Sequence, residues 1–348
     1  MTNKIAVVGI IGGGQLGSLL GIAARKLKIK TVVLTDDNKA PAQNFCDEVI
    51  FSEYNKKKKI EEFVQKVDIV TFEFENIPFK TLDLIRNNKK VLPSPEINKI
   101  VQNRNKEKTF INDLGIKTTP WVLVKSKKNI EEHQELLPGI LKTCTLGYDG
   151  KGQYVINSLK DVKSEWCFTD EYILEKLVCL KKEISVIITR FKDGHCTVYE
   201  PIENIHKDQI LQNSKIPASI SEKNFKQSQA NAKTIAEKLK YIGTMCVEYF
   251  IDEKDNLLVN EIAPRVHNSG HLTINAFNIS QFENHLRAIC DLDALDLKKN
   301  NNAEMINIIG SEINLYRKRK YLDNEYFFDY QKNEIKEKRK MGHLTTIK

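Results

Sequence analysis

Short apolar runs alternate with stretches of helical periodicity over roughly the first hundred residues. Residues 5–8, 31–34 and 69–72 are brief β-branched or apolar runs, and residues 16–27, 60–65 and 81–87 carry apolar positions at helical spacing. Strand and helix in turn predict a parallel sheet covered by helices. Pro93-Ser94-Pro95 then breaks the pattern, and Pro95 followed by Glu96 suits the first turn of a new helix. From about residue 120 the pattern changes to short strands, at 140–142, 154–156, 172–177, 184–189 and 197–199. Ile184, Val186 and Ile188 alternate with Ser185, Ile187 and Thr189, which predicts a sheet with one drier face. A helix over 227–239 follows, with Gly243 near its end. Two runs, 245–251 and 257–260, flank the turn-like Asp252-Glu253-Lys254-Asp255-Asn256 and predict an antiparallel hairpin. The charge-dense residues 318–340 read as a loose excursion, and no internal repeat is present.

Composition narrows the class. A chain of 348 residues with 41% hydrophobic and 29% charged positions suits a globular enzyme of two or three domains. It holds no run of 18 apolar residues and opens directly on a strand-like run, so neither a membrane span nor a signal peptide is expected. The seven cysteines are scattered without a C-x-x-C pair, which argues against a disulfide framework or zinc cluster and for a reducing cytoplasm. Net charge is +8, but the lysine runs lack aromatic interleaving. They read as solvated surface that favours phosphorylated small molecules, with no nucleic-acid partner.

Four places carry candidate chemistry. Gly12-Gly13-Gly14-Gln15-Leu16-Gly17 satisfies G-x-G-x-x-G between a strand and a helix, with Asp36 and Asp37 following the next strand. That is the form of a dinucleotide fingerprint, although the physics asks only for an anion near backbone N–H groups. Glu73 and Glu75 follow the third strand, where the carboxyl ends of a doubly wound sheet line a ligand crevice. Lys142 ends a strand before a loop containing Gly147, Gly150 and Gly152, which suits a polyphosphate. Glu175 and Glu183 stand at strand ends, while His206 reads by default as a loop histidine. The fourth place is the hairpin, where Glu248 and Glu261 on adjacent strands, with Asn260, offer the oxygen-only ligands that Mg²⁺ prefers. Arg265, His267, Asn268, Ser269 and His271 then crowd a segment kept non-helical by Pro264 and Gly270, costly to bury without a ligand.

In this order the glycine loop, Glu73-Phe74-Glu75-Asn76, the residues from Gly147 to Gln153, Glu203-Asn204-Ile205-His206, the block from Asn260 to His271 and Arg339-Lys340-Met341-Gly342-His343 resemble the N5-carboxyaminoimidazole ribonucleotide synthase family of ATP-grasp ligases. The resemblance implies an α/β and α+β fold. A Rossmann-like pre-ATP-grasp domain (1–103) is expected, then an ATP-grasp domain (104–295) with a lid over about 120–180, and a small β-rich C-terminal domain (296–348). It implies ATP-dependent carboxylation of 5-aminoimidazole ribonucleotide by bicarbonate in purine synthesis, through carboxyphosphate. Carried over residue by residue, ATP falls to Arg104, Lys108, Lys142, Gly147, Tyr148, Asp149, Gly150, Lys151, Gly152, Gln153, Glu175, Lys176, Leu177, Val178, Glu183, His206, Asn260 and Glu261. Mg²⁺, as two ions or with Mn²⁺ in its place, falls to Glu248 and Glu261. Glu75, Tyr148, Asp149 and Arg265 are the catalytic expectation, with Asp149 removing the amine proton and Glu75 orienting it. Gly14, Gln15, Leu16, Glu75, Arg265, His267, Asn268, Ser269, Lys318 and Arg339 are expected around the ribonucleotide. A homodimer and a separate mutase acting on the product are the implied partners.

The chain departs from the family pattern at Ser18, at Thr143-Cys144, and in the long charged link from Lys318 to Arg339. An ATP-grasp formyl or carboxyl transfer to another ribonucleotide amine, such as glycinamide ribonucleotide, is the alternative. A non-catalytic nucleotide-binding subunit would lack the metal acids, which are present here.

Overall fold

The computed structural model describes residues 6–145, 152–163 and 170–348. Five short strands, β1 (Val7–Ile11), β2 (Lys30–Thr35), β3 (Glu48–Phe51), β4 (Ile69–Phe72) and β5 (Lys90–Val91), form a parallel sheet in the order β3-β2-β1-β4-β5. The side chains of β1, β2 and β4 are largely buried on both faces, as a sheet between two helix layers requires, while Phe51 of the edge strand β3 is exposed. Ile11, Val32 and Leu34 meet Phe63 and Val64 of the helix Lys57–Lys66 on one face. Val8, Ile10 and Val33 meet Leu19 and Leu20 of the helix Gln15–Lys26 on the other. Phe282, Leu286 and Ile289, from the helix Gln281–Ile289 far along the chain, complete this second cluster.

The next strands, β6 (Trp121–Val124), β7 (Gly139–Thr143), β8 (Gln153–Ile156) and β9 (Tyr172–Lys176), form a separate antiparallel sheet in the order β6-β9-β7-β8. A nine-stranded sheet follows, comprising β10 (Leu180–Arg190), β11 (Cys196–Val198), β12 (Ile202–Lys207), β13 (Ile210–Ile216), β14 (Gly243–Asp252), β15 (Leu257–Ala263), β16 (Ala303–Ile309), β17 (Glu325–Asp329) and β18 (Lys340–Ile347). Pairing of β13 with β16 makes the C-terminal strands a continuation of the central sheet.

Three sequence expectations change. Residues 184–189 are buried on both faces. Ile184, Val186 and Ile188 pack under the helix Glu222–Lys238, while Ser185 and Thr189 on the other face are buried in hydrogen bonds to Ser269 and Thr244. The helix does not end on glycine: Lys240 takes the left-handed conformation (φ 47°), and Gly243 opens β14. Finally, residues 318–340 contain β17 and the fully buried Tyr330, so only part of the segment is a surface excursion.

Candidate active site

The carboxyl ends of the parallel sheet, the inner side of the β6–β9 sheet and one face of the central sheet surround a cleft of about 1140 Å³. A ligand pocket is commonly 300–1,000 Å³, so this one has room for a nucleotide and a second substrate together.

At one end the glycine turn meets Glu73. Its carboxylate accepts hydrogen bonds from the N–H of Gly14 and of Gly17, the latter at 2.6 Å. These donors open the helix Gln15–Lys26, the place where a dinucleotide pyrophosphate would have to sit. The Glu73 side chain already occupies it, which removes the dehydrogenase reading. Gly12, at φ +100°, lies against the same carboxylate, and a Cβ there would stand 2.5 Å from Glu73 Cγ. Glu73 is thus a structural partner of the turn that also borders the cleft, which Glu75 lines beside it. Arg265 Nε donates to Glu75 Oε2 at 2.5 Å, tying the first sheet to the segment after β15. Burial pushes the Glu75 carboxyl up, but Arg265 outweighs it and holds the group below the usual carboxylate range.

Deeper in the cleft, Glu175 lies between two lysines, with Oε1 at 3.1 Å from Lys108 Nζ and Oε2 at 2.7 Å from Lys142 Nζ. All three are buried. Burial raises the Glu175 pKa, and the lysines override it to leave the group at about 2. Lys142 itself is lowered by burial despite Glu175. The chain then crosses from β9 to β10 through Lys176, Leu177 and Val178, which line the cleft beside Gln153 of β8. Glu183 on β10 meets His206 on β12 at 2.7 Å, and this carboxylate raises the imidazole pKa against the effect of burial.

The hairpin puts Glu248 of β14 directly across from Glu261 of β15. The register slips between Glu248 and Tyr249, whose partner is Val259, so Asn260 is the extra residue of a bulge. A regular strand would send Asn260 and Glu261 to opposite faces; with the bulge, both line the cleft. Burial and the neighbouring Glu261 raise the Glu248 carboxyl. Arg104 Nη1 lies 3.6 Å from Glu261 Oε2. His267 Nε2 contacts Glu248 Oε1 at 3.1 Å, and its Nδ1 meets Ser269 Oγ at 2.9 Å. From Ser269 a buried chain runs through Ser185 (2.8 Å) and Asn204 (2.9 Å) to Ser214 (2.8 Å). Asn268 is fixed by a two-way amide pair with Asn307 of β16, at 3.1 and 2.6 Å. Buried polar groups so connected are held rigidly.

Of the residues singled out in the sequence, Gly14, Gln15, Leu16, Glu75, Arg104, Lys142, Gln153, Glu175, Lys176, Leu177, Val178, Glu183, His206, Glu248, Asn260, Glu261, Arg265, His267, Asn268 and Arg339 line this one cleft. Lys108 and Ser269 stand behind it, and Gly152 sits against Thr143. Gly147, Tyr148, Asp149, Gly150 and Lys151 lie outside the described residues. Lys318 is exposed and does not line the cleft. The cation beside the glycine turn is instead Lys332, whose Nζ donates to Gln15 Oε1 at 3.1 Å and to Lys340 O at 2.6 Å. Burial and then Arg339 lower its pKa to about 7. Its signal was the two-residue alternation of Phe328, Tyr330 and Lys332, which runs the inward face of β17 into the cleft.

Residues 5–102 match the ribonucleotide synthetase preATP-grasp domain, 109–282 the ATP-grasp domain, and 303–348 the phosphoribosylaminoimidazole carboxylase C-terminal domain. The chain is 39% identical to the N5-carboxyaminoimidazole ribonucleotide synthase of Bacillus subtilis (strain 168), over 99% of this chain and 92% of that one. It resembles a crystal structure of an ADP complex of N5-carboxyaminoimidazole ribonucleotide synthetase, with a TM-score of 0.93 and 37% identity, covering 100% of this chain and 94% of the other. An Aspergillus clavatus N5-carboxyaminoimidazole synthase in complex with ADP and 5-aminoimidazole ribonucleotide matches with a TM-score of 0.89 and 28% identity, over 100% and 95% of the two chains. Matched in all three regions, and to relatives along nearly its whole length, this chain belongs to the N5-carboxyaminoimidazole ribonucleotide synthase family of ATP-grasp ligases.

Proposed function

We propose that this chain uses ATP to carboxylate the exocyclic amine of 5-aminoimidazole ribonucleotide with bicarbonate, releasing ADP and phosphate. One observation carries the reading. A single cleft joins the lysine-lined pocket of Lys142 and Glu175, the acid pair Glu248–Glu261, and the Gln15–Lys332 corner. Donor and acceptor sites are therefore parts of one continuous cavity.

In this account the adenine end lies along Lys176, Leu177 and Val178, with Glu183 and His206 beside the ribose, and the phosphates run toward Lys108 and Lys142. Glu248 and Glu261 suit Mg²⁺, two ions or Mn²⁺ in its place: they are paired carboxylates whose mutual repulsion raises Glu248, a strain that a dication relieves. Held by Glu248 and Glu261, the metal would supply positive charge to offset that of the phosphates during phosphoryl transfer. Arg265 lies between the acid pair and Glu75 and suits the bicarbonate and carboxyphosphate oxygens. Glu75, kept anionic by Arg265, orients the acceptor amine and is a poor proton acceptor. By the family resemblance, Asp149 removes the amine proton, with Tyr148, its neighbour in sequence, near the reacting groups. Gly14, Gln15, Leu16, His267 and Asn268 cradle the ribonucleotide, Ser269 holds His267, and Lys332 with Arg339 takes its phosphate.

By the same resemblance we place the protein in the cytoplasm as a homodimer whose product passes to a separate mutase. The six described cysteines are all free, in keeping with a reducing compartment. Among the described residues no helix is long and apolar enough to cross a membrane. The test is ADP release by purified protein with bicarbonate, with formate, and with neither. The reading requires stimulation by bicarbonate together with aminoimidazole ribonucleotide; stimulation by formate with glycinamide ribonucleotide would move the chain to formyl transfer.

A further inference from the structure

Cys246, Glu248 and His267 converge beneath the acid pair. Residues 246 and 248 alternate on β14 and so share a face, and His267 arrives from the segment after β15. The Cys246 sulfur, a Glu248 carboxylate oxygen and a His267 ring nitrogen all lie within 4.8 Å of one another. Zinc bonds of about 2.0–2.3 Å in a tetrahedral site place such donors roughly 3.5 Å apart, so small side-chain shifts close the set. Glu248 and His267 reach the cleft, which gives an ion its entry path, whereas Cys246 is fully buried behind them.

We propose that this triad is a binding site for a thiophilic divalent cation, Zn²⁺ above all, distinct in chemistry from the oxygen-only site of Glu248 and Glu261. A sulfur–nitrogen–oxygen donor set suits zinc and is disfavoured by Mg²⁺. Three protein ligands leave the fourth position open toward the cleft. His267 is already held in place by Ser269, whose Oγ lies 2.9 Å from Nδ1 and can accept a proton carried there. In the metal-free protein the Ser269 N–H points at Nδ1 at 3.3 Å, leaving the ring proton on Nε2 toward Glu248. Metal entry moves that proton to Nδ1, which can then no longer accept from the Ser269 N–H; that hydrogen bond is broken, Ser269 Oγ accepts the Nδ1 proton instead, and Nε2 becomes the ligand. The Cys246 S–H bond breaks, its proton leaves to solvent, and the thiolate sulfur binds the ion. No oxidant or reductant is involved. Occupancy takes Glu248 away from Mg²⁺, so zinc inhibits the ligase in competition with Mg²⁺; this consequence alone rests on the function proposed above.

Co²⁺ titrated into the reduced full-length protein without nucleotide reads the site directly. One equivalent is expected to give a thiolate-to-cobalt charge-transfer band, which Cys246→Ala and Cys246→Ser both lose. Zn²⁺ affinity, measured against a chromophoric chelator, is expected to fall at least about tenfold in both variants. Their Mg²⁺-dependent ADP release persists and resists zinc. A band that survives in both variants, or unchanged zinc affinity, overturns the proposal. A band in the wild type together with turnover that zinc does not slow would leave the site standing and overturn the Mg²⁺ role of Glu248.

Discussion

Glu175→Gln removes the anion that lies between Lys108 and Lys142 while nearly preserving its shape. Glu175 is 2% exposed and the lysines 1% and 6%, so water cannot take over the lost charge. Breaking a buried pair by deleting one partner costs about 3–5 kcal/mol. The titration of Glu175 gives a similar size, since a carboxyl held at about 2 rather than 4.5 corresponds to about 3 kcal/mol. The folded pKa lies below the unfolded one, so this stabilisation is present above about pH 4.5 and is lost as pH falls toward 2. For a chain of this length each kcal/mol is worth roughly 1–2 °C, so the apparent melting midpoint at neutral pH should fall by about 4–8 °C. ATP supplies replacement anions to the same lysines. Thermal unfolding with and without ATP should therefore show a larger nucleotide-induced rise in the variant than in the wild type. An unchanged midpoint without nucleotide, or equal nucleotide shifts in the two proteins, would refute the proposed phosphate role of this lysine pair.

Other sites give sharper functional readouts. Glu261→Gln should still bind ATP in a filter assay yet lose at least about a hundredfold in turnover, whereas unchanged turnover would remove it from the metal site. Lys332→Met should raise KM for the ribonucleotide by about 10–100-fold with little change in kcat, as loss of a charge-assisted contact requires, while Lys318→Ala should leave both unchanged. Because Lys332 sits near pKa 7 and an anion binds its charged form, ribonucleotide affinity should weaken as pH rises through 7. Lys332→Arg should flatten that dependence in a KM-against-pH series. Gly12→Ala forces a side chain into the left-handed region and against Glu73, and should lower the midpoint by several degrees in the same unfolding assay.

How much of this was readable beforehand follows from the range of each interaction. The parallel sheet was legible because its strands and helices follow one another in sequence, and the hairpin of β14 and β15 because a local turn sets it. The short edge strands β3 and β5 were not, since two to four residues carry too little periodicity. Local pattern also placed Glu248 and Glu261 on adjacent strands, but the bulge at Asn260 depends on pairing register and is invisible in a single strand. Glu73 was read with Glu75 as a cleft acid and does line the cleft; the local pattern did not show that the N–H groups of Gly14 and Gly17, more than fifty residues away, hold its carboxylate. Lys332 was masked by the surrounding charges, and only the alternation with Phe328 and Tyr330 separated it from solvated neighbours such as Lys318.

The central claim is that bicarbonate attacks the γ-phosphate of ATP within this cleft. Turnover with ¹⁸O-labelled bicarbonate, ATP and aminoimidazole ribonucleotide, followed by mass analysis of the released phosphate, tests that bond directly. The account predicts one bicarbonate-derived ¹⁸O in each phosphate. Phosphate carrying one solvent oxygen and none from bicarbonate would mean that the enzyme hydrolyses ATP with water, and would contradict it.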